Sequence, residues 1–315
     1  MATEHSPSRR PLSILDLTSL LFLGAVWGAA FLFLRIAAPE VGAVWAAEIR
    51  LATGAAVLVI FAGRQTLTAV RGRASSFVIA GALFAAVPFT LISYATVTLP
   101  AGFTALLNAA TPLFTALVAV TFMGQRLAWR VAAGLAVGVV AVVVMVGLSP
   151  LEPGAMTVLA VAAGLGAPAS YAIAGNYVRA RRAAVEPLEL ATGMLVAGTV
   201  VALPVALLTG APRMPALDGA ISLAAVGILS TAIAWPVFFQ VLRRTTPTAA
   251  STVTFIVPAF ALTWGSIVLA EPVGIGLVVG FALILVSLAL VLGIVPAWRP
   301  RLPRRTAVAF RGSVT

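Results

Sequence analysis

The sequence predicts an all-α integral membrane protein of ten transmembrane helices, arranged as two inverted-topology repeats of five helices each. Three observations predict this fold class. Of the 315 residues, 61% are hydrophobic and only 9% are charged, whereas a soluble domain usually has about 25% charged residues. Apolar segments that are long enough to span a membrane as helices alternate with short polar segments. Several motifs also recur in the same order in both halves of the chain.

The apolar segments are each long enough to cross a hydrocarbon layer of ~30 Å at about 1.5 Å per residue. They define two repeats, residues 14–148 and 155–295, between polar tails at residues 1–13 and 296–315. The predicted spans are Ile14–Ala38, Val41–Phe61, Ser75–Ala95, Gly102–Met123, Val131–Leu148, Ala155–Val178, Pro187–Thr209, Gly219–Leu242, Thr248–Ala270 and Val273–Val295.

The arginines predict the orientation of these spans. Most of the 20 basic residues fall in segments that share one side of the membrane if the N-terminus is cytoplasmic. The sequence therefore predicts that both termini are cytoplasmic. The net charge of +11 is explained by this topology, so no nucleic-acid partner is expected.

Matching features predict that the two halves are related. Because each half has an odd number of spans, the second half begins on the opposite side, and such inverted repeats characterise secondary transporters. The matches are Trp27 and Arg35 with Tyr171 and Arg179, Pro112 and Gln125 with Pro258 and Glu271, Leu51–Gly54 with Leu190–Gly193, and Gly134/Gly138 with Gly276/Gly280.

Small-residue pairs lie on the last helix of each half. Gly134/Gly138 and Gly276/Gly280 allow two helix backbones to approach closely. Packing within the helix bundle is the favoured interpretation. A homodimer through these helices is the alternative.

Polar residues recur along one face of the fourth span, at Thr104, Asn108, Thr111 and Thr115. They indicate either the wall of a hydrated substrate path or hydrogen bonds between helices, each worth about 1 kcal/mol. The second half contributes Thr254, and neighbouring helices contribute the amides of Asn176 and Gln240.

Aromatic residues also lie well inside the spans rather than only in an interfacial belt. Core packing is the favoured interpretation of any one of them, whereas as a set they are also consistent with a substrate cavity that has stacking surfaces. We expect this cavity to be lined by the first, third, fourth, sixth, eighth and ninth spans. Its aromatic candidates are Trp27, Phe31, Tyr94, Tyr171, Trp235 and Trp264.

Two charged residues lie inside the second span. Ionisable groups in a membrane are costly and indicate function by default. Glu48 and Arg50 are two positions apart, so they do not face each other, and each needs another partner. Arg50 is a candidate for holding a carboxylate or for orienting the bundle, and Glu48 is a candidate titrating group.

Several classes of chemistry are excluded by composition. The chain has no cysteine and no lysine, and its one histidine, His5, lies in the N-terminal tail. Metal ligands, a phosphate-binding lysine loop and a catalytic triad are therefore not expected. The sequence predicts no enzyme and no cofactor, although coupling to a proton or ion stays open.

The residues carry a family resemblance, in Trp27-Gly28-x-x-Phe31, in Arg50, in the proline-centred fourth and ninth helices, and in Gly124-Gln125-Arg126-Leu127 and Ala270-Glu271-Pro272. The chain resembles EamA-type permeases of the drug/metabolite transporter superfamily. This resemblance implies a central cavity that exports or exchanges small metabolites, often amino acids, across the bacterial inner membrane. Gln125 stands where the family usually has glutamate, so Glu271 is not assigned a proton-carrying role.

The predicted function is therefore a secondary transporter of a small-molecule solute, working by alternating access within membrane lipid. Two alternatives stay open. One is movement of a lipid-linked or amphipathic solute. The other is a non-transporting membrane partner or sensor, in which the tail from Arg299 to Arg311 binds anionic lipid or a protein.

Overall fold

The computed structural model describes residues 13–124, 127–181, 185–245, 250 and 252–292. Within these residues all regular structure is helical and no strand is formed. The helices are α1 Ile14–Val41, α2 Ala43–Phe61, α3 Arg64–Gly72, α4 Ala74–Thr98, α5 Ala101–Asn108, α6 Thr111–Met123, α7 Trp129–Leu148, α8 Ala155–Arg181, α9 Pro187–Leu208, α10 Leu217–Arg244, α11 Val253–Leu269 and α12 Ile275–Val291.

Local sequence explains where the first helices begin and end. Ser13 and Asp16 form a capping box, in which the Asp16 N–H donates to Ser13 Oγ at 3.1 Å and the Ser13 N–H donates to Asp16 Oδ2 at 3.1 Å. Gly42 separates α1 from α2 with a φ of +90°. That conformation favours glycine because it has no Cβ.

Eight helical segments are long and apolar enough to cross a membrane, with α5 and α6 together forming one of them. The other two apolar helices, α11 and α12, have 17 residues each, or about 25 Å at 1.5 Å per residue. The start of the predicted ninth span and the end of the predicted tenth span lie outside the described residues. So do Gln125, residues 1–12 of the N-terminal tail and the whole C-terminal tail.

The fourth predicted span differs from expectation, because it is not one continuous helix. It is interrupted at Ala109 and Ala110, between α5 and α6. Pro112 has no N–H to donate to the carbonyl of Asn108, and its ring would clash there. Thr111 Oγ1 donates to that carbonyl instead, at 2.7 Å.

Two π turns, which the sequence analysis did not predict, lie within α4 and α10. They cover Ala82–Ala86 and Ile228–Ile233. A π turn inserts one residue into a helix and changes the direction of the following side chains. Both turns begin at matching positions in the two halves.

Helix contacts repeat between the two halves. In the first half α1 packs against α10 and α11, and in the second half α8 packs against α4, α5 and α6. The final helices of the halves, α7 and α12, pack against each other. A Cβ built at Gly276 would lie only 2.8 Å from the carbonyl carbon of Leu148, so this glycine serves packing within the bundle.

Candidate functional site

The two ends of the bundle differ in charge. At the end where α2 and α10 finish, arginines pair with the start of α9. Arg73 Nη1 lies 2.7 Å from Glu189 Oε1, and Arg243 pairs with Glu186. We call this the basic end, and we call the end where α1 finishes and α5 begins the far end.

A cavity of about 500 Å³ lies between the two halves. Each of the six helical segments predicted to line it contributes, and α2 and α12 contribute as well. The lining extends from Arg50 and Ala105 inside the bundle to Leu242, Ala250 and Leu292 at the basic end. The described lining residues are Trp27, Ala30, Phe31, Arg50, Phe84, Ile92, Ala105, Asn108, Ala109, Thr111, Pro112, Thr115, Ala116, Ala119, Tyr171, Trp235, Phe238, Leu242, Ala250, Val253, Thr254, Val257, Val291 and Leu292.

An aromatic cluster forms one wall of this cavity. The ring of Trp27 lies 5.4 Å from that of Trp235 and 5.2 Å from that of Phe238. Tyr171 and Phe84 lie 6.4 and 6.3 Å from Trp235. Rings at these separations pack favourably, and the wall presents a large apolar surface.

The π turn of α10 holds Trp27 in this wall. Trp27 Nε1 donates to the carbonyl of Ser230 at 3.0 Å, and Ser230 Oγ donates to the carbonyl of Val26 at 2.9 Å. Both bonds cross between the two halves of the chain. The irregular turn therefore supplies partners that fix α1 against α10.

Arg50 is the only charged residue among the described residues that line the cavity. Its side chain is buried, with 4% of the residue exposed. Its Nε donates to Thr231 Oγ1 at 2.9 Å, and its guanidinium carbon lies 3.7 Å from the ring centre of Phe89. Among the described residues, no carboxylate pairs with it.

Two further polar atoms of the lining are buried without a hydrogen-bond partner in the described part of the chain. They are the indole Nε1 of Trp235 and the amide Oδ1 of Asn108. Burying a polar group without a partner is costly. Both atoms are enclosed by the surrounding side chains in this conformation, so neither is exposed to the cavity.

Most of the predicted cavity residues are brought together here. They are Trp27, Phe31, Asn108, Thr111, Tyr171, Trp235 and Thr254, together with Arg50. Phe84 and Phe238 also line the cavity but were not predicted. Phe238 was detectable, because it lies three residues after Trp235 and hence on the same helix face.

Five predicted residues lie outside the lining. The hydroxyl of Thr104 donates to the carbonyl of Pro100, and the amide of Asn176 donates to that of Ala172. The indole of Trp264 donates to Ala25 at 3.1 Å. Gln240 is exposed, and Tyr94 packs against another hydrophobic cluster.

Glu48 also lies outside the lining, although it is buried, with 3% of the residue exposed. Its Oε2 has no hydrogen-bond partner in the described part of the chain. Its assignment as a titrating group stays a prediction.

At the far end, the two halves are tied together by Glu271. Its carboxylate accepts from the N–H of Ala101 at 3.0 Å and lies 3.5 Å from Arg35 Nε. Arg35 Nη1 also donates to the carbonyls of Thr96 and Val97. Burial raises the pKa of the Glu271 carboxyl above its ordinary value, and the bonds from Ala101 and Arg35 act in the opposite direction.

Comparisons with known proteins identify relatives of this chain. The model of the EamA-like transporter family matches residues 17–147 and again residues 158–293. The chain is 29% identical, over 78% of its length and 82% of the relative's, to the probable terminal-alkyne amino-acid exporter of Streptantibioticus cattleyicolor. A solved crystal structure shares the fold, with a TM-score of 0.62 at 17% identity, over 88% of this chain and 94% of its own.

These matches confirm the resemblance predicted from the sequence. They also confirm that the protein is a transporter and not an enzyme. The family matches cover most of the chain, and the apolar helices are those of a multi-pass membrane protein. The chain belongs to the EamA-like transporter family.

Proposed function

We propose that the protein exports small metabolites, amino acids among them, across the bacterial inner membrane by alternating access. In this proposal the repeats 14–148 and 155–295 form ten crossings with inverted topology. The tails 1–13 and 296–315, and with them the basic end, are cytoplasmic. The arginine distribution supports this orientation.

One observation carries the proposal. The cavity is lined by both halves and extends toward the basic end, while the far end is tied by Glu271, Arg35 and Ala101. This is the arrangement expected of a transporter whose site faces the cytoplasm. Release on the other side requires that the tie separate and the basic end close.

The comparison with the amino-acid exporter supports the solute class. That exporter is 29% identical to this chain and aligns along 78% of it. A volume of about 500 Å³ also lies in the range of small-molecule sites, roughly 300–1,000 Å³. The cavity is therefore of a size to hold one metabolite.

Flux in liposomes tests the proposal. Purified protein is reconstituted, and uptake of labelled amino acids, nucleosides and amphipathic cations is measured with and without a pH gradient. Flux above that of empty liposomes is expected for at least one amino acid. Flux of amphipathic cations alone would favour the amphipathic-solute alternative.

A matched pair of variants ties flux to the cavity. Ala116 lines the cavity, whereas Val139 is 66% exposed on the outer surface of α7. Ala116→Trp places an indole in the solute's path and should reduce flux to the background of empty liposomes. Val139→Trp adds the same ring outside the cavity and should leave flux unchanged. Normal flux through folded Ala116→Trp would contradict the assignment of this cavity.

A further inference from the structure

The charges around the cavity are unbalanced. The described lining contains one cation, Arg50, and no carboxylate. A buried cation without a counter-charge is costly, and removing one partner of a buried pair is strongly destabilising. A bound anion would supply the counter-charge that the protein itself does not.

Arg50 is also positioned with donors to spare. Its Nε is taken by Thr231, and one face of the guanidinium is covered by Phe89. The two terminal nitrogens have no hydrogen-bond partner in the described part of the chain. A guanidinium in this state presents a planar pair of donors, which matches a carboxylate.

The aromatic wall continues from Arg50. The ring of Phe89, against which Arg50 packs, has its centre 6.4 Å from that of Trp235. Trp235 is 94% buried, and its indole Nε1 is enclosed by protein, so it does not present a donor to the cavity in this conformation. Arg50 is therefore the charged donor that a solute in the cavity meets.

The remainder of the lining indicates what accompanies the anionic group. Trp27, Phe84, Tyr171 and Phe238 surround Trp235 with apolar surface. A single arginine suits a monoanion better than a phosphate, which is recognised by clusters of cations. A solute with a net positive charge would meet Arg50 without a compensating carboxylate.

We propose that the solute is a carboxylate with an apolar, ring-sized body, whose carboxylate binds Arg50. This inference rests on the proposed function, because it takes the cavity as the solute site. The body of the solute lies against Trp27 and Phe238. A free base of the same size is rejected.

Calorimetric titration of the purified protein in detergent tests this inference with three probes of equal size. They are hydrocinnamate, its neutral amide hydrocinnamamide, and the cation phenethylammonium. Hydrocinnamate is expected to bind at least about tenfold more tightly than either of the others, because only it accepts from charged donors.

Variants assign the effect to particular atoms. Arg50→Gln should weaken hydrocinnamate binding to the level of the amide. Trp235→Phe keeps an aromatic ring in the wall and removes no donor that the solute reaches, so it should leave the preference for hydrocinnamate over the amide unchanged. Arg64→Gln removes the same charge at the exposed start of α3 and should have no effect. Thermal unfolding of each variant confirms that it is folded.

The inference is overturned if folded protein binds the carboxylate and the amide equally, prefers the cation, or does not bind hydrocinnamate at about 10 mM. It is also overturned if folded Arg50→Gln binds like the wild type. The proposed function fails separately. Binding of hydrocinnamate without flux of any solute would refute transport alone. Flux of the neutral amide but not of hydrocinnamate would refute the carboxylate inference and leave transport intact, whereas flux restricted to cations would refute both the carboxylate inference and the amino-acid solute class.

Discussion

Replacing Gly276 with alanine tests whether the glycine pairs act in the bundle or in a dimer. A Cβ at this position would lie 2.8 Å from the carbonyl carbon and 3.0 Å from the carbonyl oxygen of Leu148. These are backbone atoms, so no side-chain rotation relieves the contact. The helices α7 and α12 must separate by roughly 0.6 Å before the shortest contact becomes an ordinary one.

The size of the effect follows from overpacking. Inserting a methyl group into a close contact costs about 1–3 kcal/mol, while exchanging glycine for alanine in a helix gains up to about 1 kcal/mol. Gly147→Ala isolates the second term, because a Cβ at Gly147 meets nothing within 4 Å. At about 2–4 °C per kcal/mol, we expect Gly276→Ala to unfold about 2–12 °C below Gly147→Ala.

The assay is thermal unfolding in detergent, followed by circular dichroism, together with light scattering to measure the oligomeric state. A melting temperature of Gly276→Ala equal to or above that of Gly147→Ala would refute the packing argument. A change in oligomeric state without a lower melting temperature would instead support the dimer alternative.

Two further predictions concern the far end, and both use the absence of cysteine from the chain. A Cβ built at Gly265 lies 3.6 Å from that of Ala101, within the range of disulfides, but also 2.5 Å from Glu271 Oε2, so the carboxylate must shift in this variant. Oxidised Ala101→Cys/Gly265→Cys should therefore lose flux relative to the same double variant after reduction, which is the reference. Equal flux before and after reduction would exclude separation of this end. The raised pKa of buried Glu271 means that the tied form binds more protons than an open form in which the carboxyl is exposed. Acidification from neutral pH through the raised pKa toward 4.5 should therefore favour the tied form and slow labelling of Ala105→Cys, in sealed and oriented vesicles, by an impermeant maleimide present only on the side of the far end. The labelling rate of Ala105→Cys, divided by that of Ala105→Cys/Glu271→Gln, should decrease as the pH is lowered. A ratio that does not change with pH would contradict this prediction.

Much of the fold was predictable, because a membrane-spanning helix can be recognised in a sequence by its length and hydropathy. The apolar runs predicted where the eight membrane-length helical segments and the two shorter apolar helices lie, and the matching prolines and glycines indicated two related halves. Helix interruptions were harder to predict. The break at Ala109 and Ala110 depends on whether a helix tolerates Pro112 or breaks, and the sequence contains the same proline signal in α11, which stays continuous around Pro258.

The types of residue that line the site were predictable, but the individual residues that line it were less so. Aromatic and polar residues inside spans were reasonable candidates, and seven of the predicted cavity residues line the cavity with Arg50. Residues such as Thr104 and Asn176 were not distinguishable from them, because a side chain that bonds to its own helix needs no cavity. The free donors of Arg50 depend on its three-dimensional neighbours, which the spacing of residues along the chain does not reveal.

The paired π turns make the two halves alike in backbone shape as well as in sequence motifs. Such turns are uncommon. Here one begins at Ala82 and the other at Ile228, each 16 residues before the last residue of its helix. Arg50 and Glu189 precede the two copies of the repeated tetrapeptide, and Glu189 pairs with Arg73 at the basic end. The two halves thus share an irregular helix but carry opposite charges at this matching position, and only the arginine faces the cavity among the described residues.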